Sequence, residues 1–273
     1  MCVLVAAFGF GYKLISSWLG LPSMTKEWLA PLPVIFVLLA TWICLRLRKQ
    51  PLSGIGLWLN GRWLRQFGAG TGLGMAAMLV VVAMIWAVGG ATLSLNPDRS
   101  LAMLGYGTYV FVFGALMEEL LFRGFIFQRL LDGTGVWGAQ LIMAAFFALA
   151  HWGNPGMHGT TEVIATLNIA VAALFLGFAY IRTRSLALPI GLHLGWNWTQ
   201  GTLLGFGVSG FKETGWFKPE FLGRPQWLTG GDFGPEASAA GLVVIVLLAF
   251  SLWKWKGTLA TVEDTAPLAT EAG

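Results

Sequence analysis

Residues Ala115 to Phe125 read ALMEELLFRGF, and how this stretch is read decides the fold. It belongs to the apolar run 101–122, which has the roughly 20 residues a helix needs to cross a hydrocarbon core. The run nevertheless carries Glu118 and Glu119, and Arg123 follows at once. A charge at the bilayer centre costs about 2.5–3.5 kcal/mol on insertion scales, so three together need a reason. Glu119 and Arg123 are four residues apart on one helix face and can neutralise each other. Glu118 is turned about 100° away and has no such local partner. Two readings follow: a structural ion pair beside an interfacial Glu, or a site built inside the membrane. An interfacial Glu has no need to lie so deep in an apolar run.

Composition supports the membrane setting. Of 273 residues, 56% are hydrophobic and 11% charged, where soluble domains carry about 25% charged residues. Fourteen Trp and 37 Gly match the enrichment of Trp at membrane interfaces and of Gly in membrane helices. The net charge of +4 comes from basic residues clustered in short segments between apolar runs, which calls for no nucleic acid. Cys2 and Cys44 both lie in apolar segments and form neither a disulfide framework nor a metal pattern.

The same reading, carried outward, marks apolar segments at 1–21, 29–47, 68–91, 101–122, 137–151, 162–181, 186–206 and 237–253. The first lacks the charged start and cleavage site of a signal peptide and is read as a span, with Lys13 snorkelling to an interface. Lipid tolerates no unpaired backbone, so all are expected as helices. The expected fold is an all-α polytopic bundle of about eight transmembrane helices. Its parts are N-terminal helices over 1–100, with an amphipathic interfacial segment at 56–67, and a catalytic core over 101–206. A loop at 207–236 outside the cytoplasm, a last helix at 237–256 and a polar tail at 257–273 complete it. Arg48, Lys49, Arg62, Arg65, Arg129, Arg182, Arg184, Lys254 and Lys256 fall on one side. The positive-inside rule then places both termini in the cytoplasm, and the short loops suggest a bacterial inner membrane. GAGTGLG at 68–74 follows no strand, so it reads as a surface for close helix packing and not as a dinucleotide loop.

Three further spans carry polar groups, one of them through Glu162 and Asn168 near the start of 162–181. Phe147 and His151 are four apart at the end of 137–151, and His193 and Asn197 are four apart inside 186–206. Either His alone reads as a packing residue bonded to a carbonyl. Taken with Glu118 and Glu119, they bring a carboxylate, two imidazoles and an amide to comparable depth, each on the order of 15–20 Å along its helix. A Glu in a dry pocket is an effective general base, and His and Asn can donate to an oxyanion. Alternatively, Glu118, His151 and His193 have the chemistry of a catalytic zinc's ligands, with Zn2+ holding a water in the fourth position. The soluble HExxH pattern is absent, and both chemistries stand open.

These residues resemble a known family. EELLFR (Glu118–Arg123), FALAH (Phe147–His151) and HLGWN (His193–Asn197) match, in order and spacing, the EExxxR, FxxxH and HxxxN motifs of the CAAX-protease and bacteriocin-processing (Rce1-like) family. The similarity covers about residues 105–205. It implies an intramembrane endopeptidase acting on a membrane-associated protein or peptide, whether or not that substrate is prenylated. By the resemblance, Glu118 and His151 activate the water, and His193 and Asn197 stabilise the oxyanion. Glu119 and Arg123 hold the helix, with Phe147 in support. The family is described both as metal-dependent and as working by a metal-free glutamate mechanism. Expected partners are the lipid bilayer and the substrate, with no nucleic acid. Two other functions compete. One is a catalytically silent immunity or scaffold protein. The other is a proton-coupled transporter, which predicts repeats or broken helices in both halves, whereas here the polar groups crowd into the second. The loop 207–236, with its aromatics, is expected to cap or gate the site.

Overall fold

The computed structural model describes residues 30–258. The expected first span at 1–21 and the tail beyond residue 258 lie outside the described residues. The described residues are mostly helical, at 72%. Seven main helices follow in order: α1 Pro31–Leu47, α2 Gly61–Ala87, α3 Leu101–Phe122, α4 Phe125–His151, α5 Gly159–Thr183, α6 Ala187–Trp198 and α7 Ala239–Lys254. Among the described residues, α2 and α5 are long and apolar enough to cross a membrane, and α1 and α7 are apolar but shorter.

Three expectations change. The segment 56–67 is not a helix of its own. Residues from Gly61 are the first turns of α2, started by Asn60, whose Oδ1 accepts the Trp63 N–H at 2.9 Å. The expected span 137–151 begins earlier, at Phe125, with a break at Gly135, which takes φ +72° as only glycine does at little cost. The described chain is also not purely helical. Strand β1 (Ala91–Leu95) pairs antiparallel with β2 (Phe217–Phe221), Ala91 opposite Phe221 and Leu95 opposite Phe217. That pairing fastens the loop 207–236 to the α2–α3 connection. It is reinforced by the Asn96 amide donating to the Gly215 carbonyl at 2.9 Å.

The helix carrying His193 is placed by glycine. A Cβ on Gly70 would stand 2.6 Å from the Leu188 carbonyl oxygen, and one on Gly74 would stand 2.3 Å from that of Leu192. From the other side, a Cβ on Gly191 would stand 2.2 Å from the Phe67 oxygen, and one on Gly195 2.1 Å from that of Thr71. Helices α2 and α6 therefore meet backbone to backbone, with glycines four apart on each, as membrane helices do where lipid offers no hydrophobic drive to associate. Gly68 and Gly72 have open space where a side chain would go. Half of the GAGTGLG stretch makes the packing surface and the other half faces away from it. Beyond Trp198, α6 continues as a wider π-helical turn, Thr199–Leu203, a geometry often found next to functional sites.

Candidate active site

The site is assembled where α3 stops. Arg123 is the last residue of the turn, with its N–H bonded to the Glu119 carbonyl at 2.8 Å. The chain turns away at Gly124, where a Cβ would stand 2.2 Å from the Leu120 carbonyl oxygen. The i, i+4 geometry read from the sequence is realised. Arg123 Nη1 lies 3.0 Å from Glu119 Oε1, with both side chains buried. Arg123 Nη2 donates to the Ala173 carbonyl of α5 at 3.2 Å. The guanidinium also lies over the Phe147 ring, 4.7 Å from its centroid. One buried cation thus ties α3, α4 and α5 together.

Glu119 has a second duty. Its Oε1 also lies 2.8 Å from His193 Nδ1. Because Glu119 is paired with a guanidinium, it acts as an acceptor, so Nδ1 carries the proton and donates. The other nitrogen, Nε2, lies 3.8 Å from Glu118 Oε2. His193 is buried, whereas Glu118 is about one quarter exposed, and its Oε2 accepts no hydrogen bond from any described residue.

His151 is fixed differently. Its Nδ1 lies 2.7 Å from the Phe147 carbonyl oxygen, one turn back on α4. A carbonyl can only accept, so Nδ1 holds the proton and Nε2 of the neutral ring is left with its lone pair. Phe147 is the packing hub. Its ring meets Phe122 edge-on at 4.8 Å, lies 4.7 Å from the His151 ring and 6.5 Å from that of His193. The aromatic of the FxxxH motif thus spaces the two imidazoles.

Glu118, His151, His193 and Asn197 all line one cavity, which has about 70 Å³ of water-sized space. That is room for a few waters. Phe175, Leu192, Trp196 and Ile245 supply apolar wall. Asn168, Ser209 and Glu236 share it, and the three motifs did not point to them. The Asn168 amide donates to the backbone carbonyl of Glu236, and the Ser209 N–H donates to Glu236 Oε1. Burial pushes the Glu236 carboxyl above its usual range, opposed by the Ser209 hydrogen bonds and the charges of His151 and His193. Asn168 was visible as a polar residue inside an apolar run. Glu236 stands in a polar loop, where a carboxylate gives no signal. Glu162, the other carboxylate near the start of α5, accepts from the Trp152 indole at 2.9 Å and does not line the cavity.

The ligand set expected for zinc does not assemble. Glu118 and His193 approach each other, but among the described residues no three His, Cys, Asp or Glu side chains gather closely enough to hold a metal ion. As arranged, Glu118, His151 and His193 do not fit the three-ligand site that a catalytic zinc needs.

Residues 100–199 match a family model described as type II CAAX prenyl endopeptidase Rce1-like. No curated protein and no solved structure matches the chain.

Proposed function

Through residues 100–199 the chain belongs to the Rce1-like family, and from that premise we propose that it is an intramembrane endopeptidase that hydrolyses a peptide bond with an activated water. The observation that carries this reading is the convergence of Glu118, His151, His193 and Asn197, from three helices, on one water-sized cavity. The free Oε2 of Glu118 is the acceptor for a water proton. The lone pair on His151 Nε2 is the second acceptor, supported by the Nδ1 bond to Phe147 that fixes the tautomer. As water loses its proton to this pair, its oxygen attacks the carbonyl carbon. The negative charge that develops on the carbonyl oxygen is met by Asn197 and by Nε2–H of His193. Nδ1 of His193 is already donating to Glu119, so donation from Nε2 requires the ring to carry both protons. Glu119 supplies the counter-charge. The stored proton then goes to the leaving nitrogen, and the C–N bond breaks to give a carboxylate and an amine.

The substrate in this reading is a membrane-associated protein or peptide, of which a prenylated CAAX-type protein is one class. The bundle has about eight spans and both termini in the cytoplasm of a bacterial inner membrane, as the positive-inside bias supports. The test is cleavage of a mixed library of lipidated and unlipidated membrane peptides by purified protein in bilayers, with and without chelator. Wild type is expected to cleave and to survive chelation, and Glu118→Ala and His193→Ala are expected not to cleave. Equal cleavage by all three would assign the activity elsewhere.

A further inference from the structure

The loop 207–236 lies outside the matched segment, yet it delivers a second carboxylate, beside Glu118, to the cavity. Glu236 reaches it through three observations. It lines the same space as Glu118, His151, His193 and Asn197. Its position is fixed at both ends, by Asn168 on its carbonyl and Ser209 on its carboxylate. The loop around it is itself held: Asn154 donates to the Ser209 carbonyl at 2.9 Å, Gln200 to the Gly207 carbonyl at 2.6 Å, and Gly210 to the Phe233 carbonyl at 3.0 Å. A Cβ on Gly210 would stand 1.9 Å from the Pro155 carbonyl oxygen, and one on Gly234 2.1 Å from that of Gly207. The segments 207–210 and 233–236 therefore pack backbone to backbone against each other and against the turn that follows His151. A carboxylate held by this much structure is not a surface residue that happens to point inward.

We propose that Glu236 is a positioning residue of the site, delivered by the loop 207–236, whose carboxylate faces His151 and His193 across the cavity and holds His151 ready to take and return the proton. The inference rests on the endopeptidase reading. Its physical basis is that His151 has already spent Nδ1 on the Phe147 carbonyl. When Nε2 takes a proton, the ring becomes a cation in an apolar wall and needs a counter-charge. Glu119 is committed to Arg123 and His193. The charges of His151 and His193 favour the ionised form of Glu236, and Glu236 is the carboxylate on the loop side.

The protein contains three histidines, His151, His158 and His193, so histidine-labelled protein gives three ring signals that single His→Gln variants can assign. His158 precedes α5 and is exposed, and serves as the internal control. Glu236→Gln keeps an acceptor for the Ser209 N–H while removing the charge. The expected result is an unchanged melting temperature, moved ring resonances for His151 and His193, and an unmoved His158. On a library peptide that wild type cleaves, kcat should fall roughly tenfold, the effect of losing one partly screened charge, with KM within about twofold. Glu236→Asp should restore part of kcat. Unmoved His151 resonances with wild-type kcat overturn the inference. So does a raised KM with a lowered melting temperature and unchanged kcat, which would make Glu236 a latch for the loop and no more. If wild type cleaves no peptide at all, the endopeptidase reading fails by itself. Moved His151 resonances would still support the electrostatic coupling, and unmoved ones would end it.

Discussion

Glu119 Oε1 stands 3.0 Å from Arg123 Nη1 and 2.8 Å from His193 Nδ1, so one buried oxygen holds both the cation that ties three helices and the imidazole that faces the cavity. Replacing Glu119 should therefore act on stability and site together. Glu119→Gln leaves Arg123 buried without its counter-ion, a change that typically costs about 3–5 kcal/mol. The expected outcome is a clear fall in melting temperature of the detergent-solubilised protein, accompanied by loss of cleavage. A variant that melts like wild type would show that Ala173 and Phe147 suffice to hold the guanidinium.

Glu118 should behave in the opposite way, although it is the adjacent residue. Its Oε2 accepts no hydrogen bond from any described residue and its side chain is about one quarter exposed, so Glu118→Gln removes little that holds the fold. It removes the acceptor for the water proton. Loss of a general base typically costs about 100- to 10,000-fold in rate. Cleavage assays and melting curves on the same preparation check the prediction, which fails if stability falls as far as it does for Glu119→Gln.

How much of the site is legible in the sequence follows from what kind of signal each residue leaves. The pairs Glu119–Arg123, Phe147–His151 and His193–Asn197 are local, and helical spacing by itself fixes their shared faces. That Glu119 also binds His193, 74 positions away, is a matter of how helices pack, which spacing does not encode. Glu236 leaves no trace because acidic residues are ordinary in loops and its burial is created by Gly207, Gly210 and Gly234 packing at close range. The strand pair is hidden for a similar reason. ATLSL and FKPEF are each five residues long and separated by four helices, and neither reads as a strand without the other.

The glycine seam between α2 and α6 separates packing from composition. Gly74→Ala and Gly195→Ala each place a carbon at 2.3 Å or less from a backbone oxygen, where no side chain can move aside. Overpacking of this sort typically costs about 1–3 kcal/mol, and here it pushes on the helix that carries His193 and Asn197. Both variants should melt lower and cleave more slowly. Gly72→Ala, in the same stretch of sequence but with open space around it, should match wild type or exceed it slightly, because alanine favours helix. Equal effects from Gly72 and Gly74 would remove the seam from the account of how α6 is held.

Glu213 makes the loop's attachment sensitive to pH. It lies in the loop 207–236, close to Gly201 and Phe111, where a Cβ on Gly201 would stand 3.0 Å from its Cγ. Burial raises its carboxyl from 4.5 to about 7. A raised carboxyl pKa means the folded state binds the proton more tightly than the unfolded chain does. Its contribution to stability is therefore fully present below about 4.5 and is lost as pH rises through about 7. The melting temperature of wild type should fall between pH 5 and pH 8 by more than that of Glu213→Gln, which presents an uncharged group at every pH. Parallel melting curves for the two proteins across that range would mean that Glu213 reaches water in the folded state.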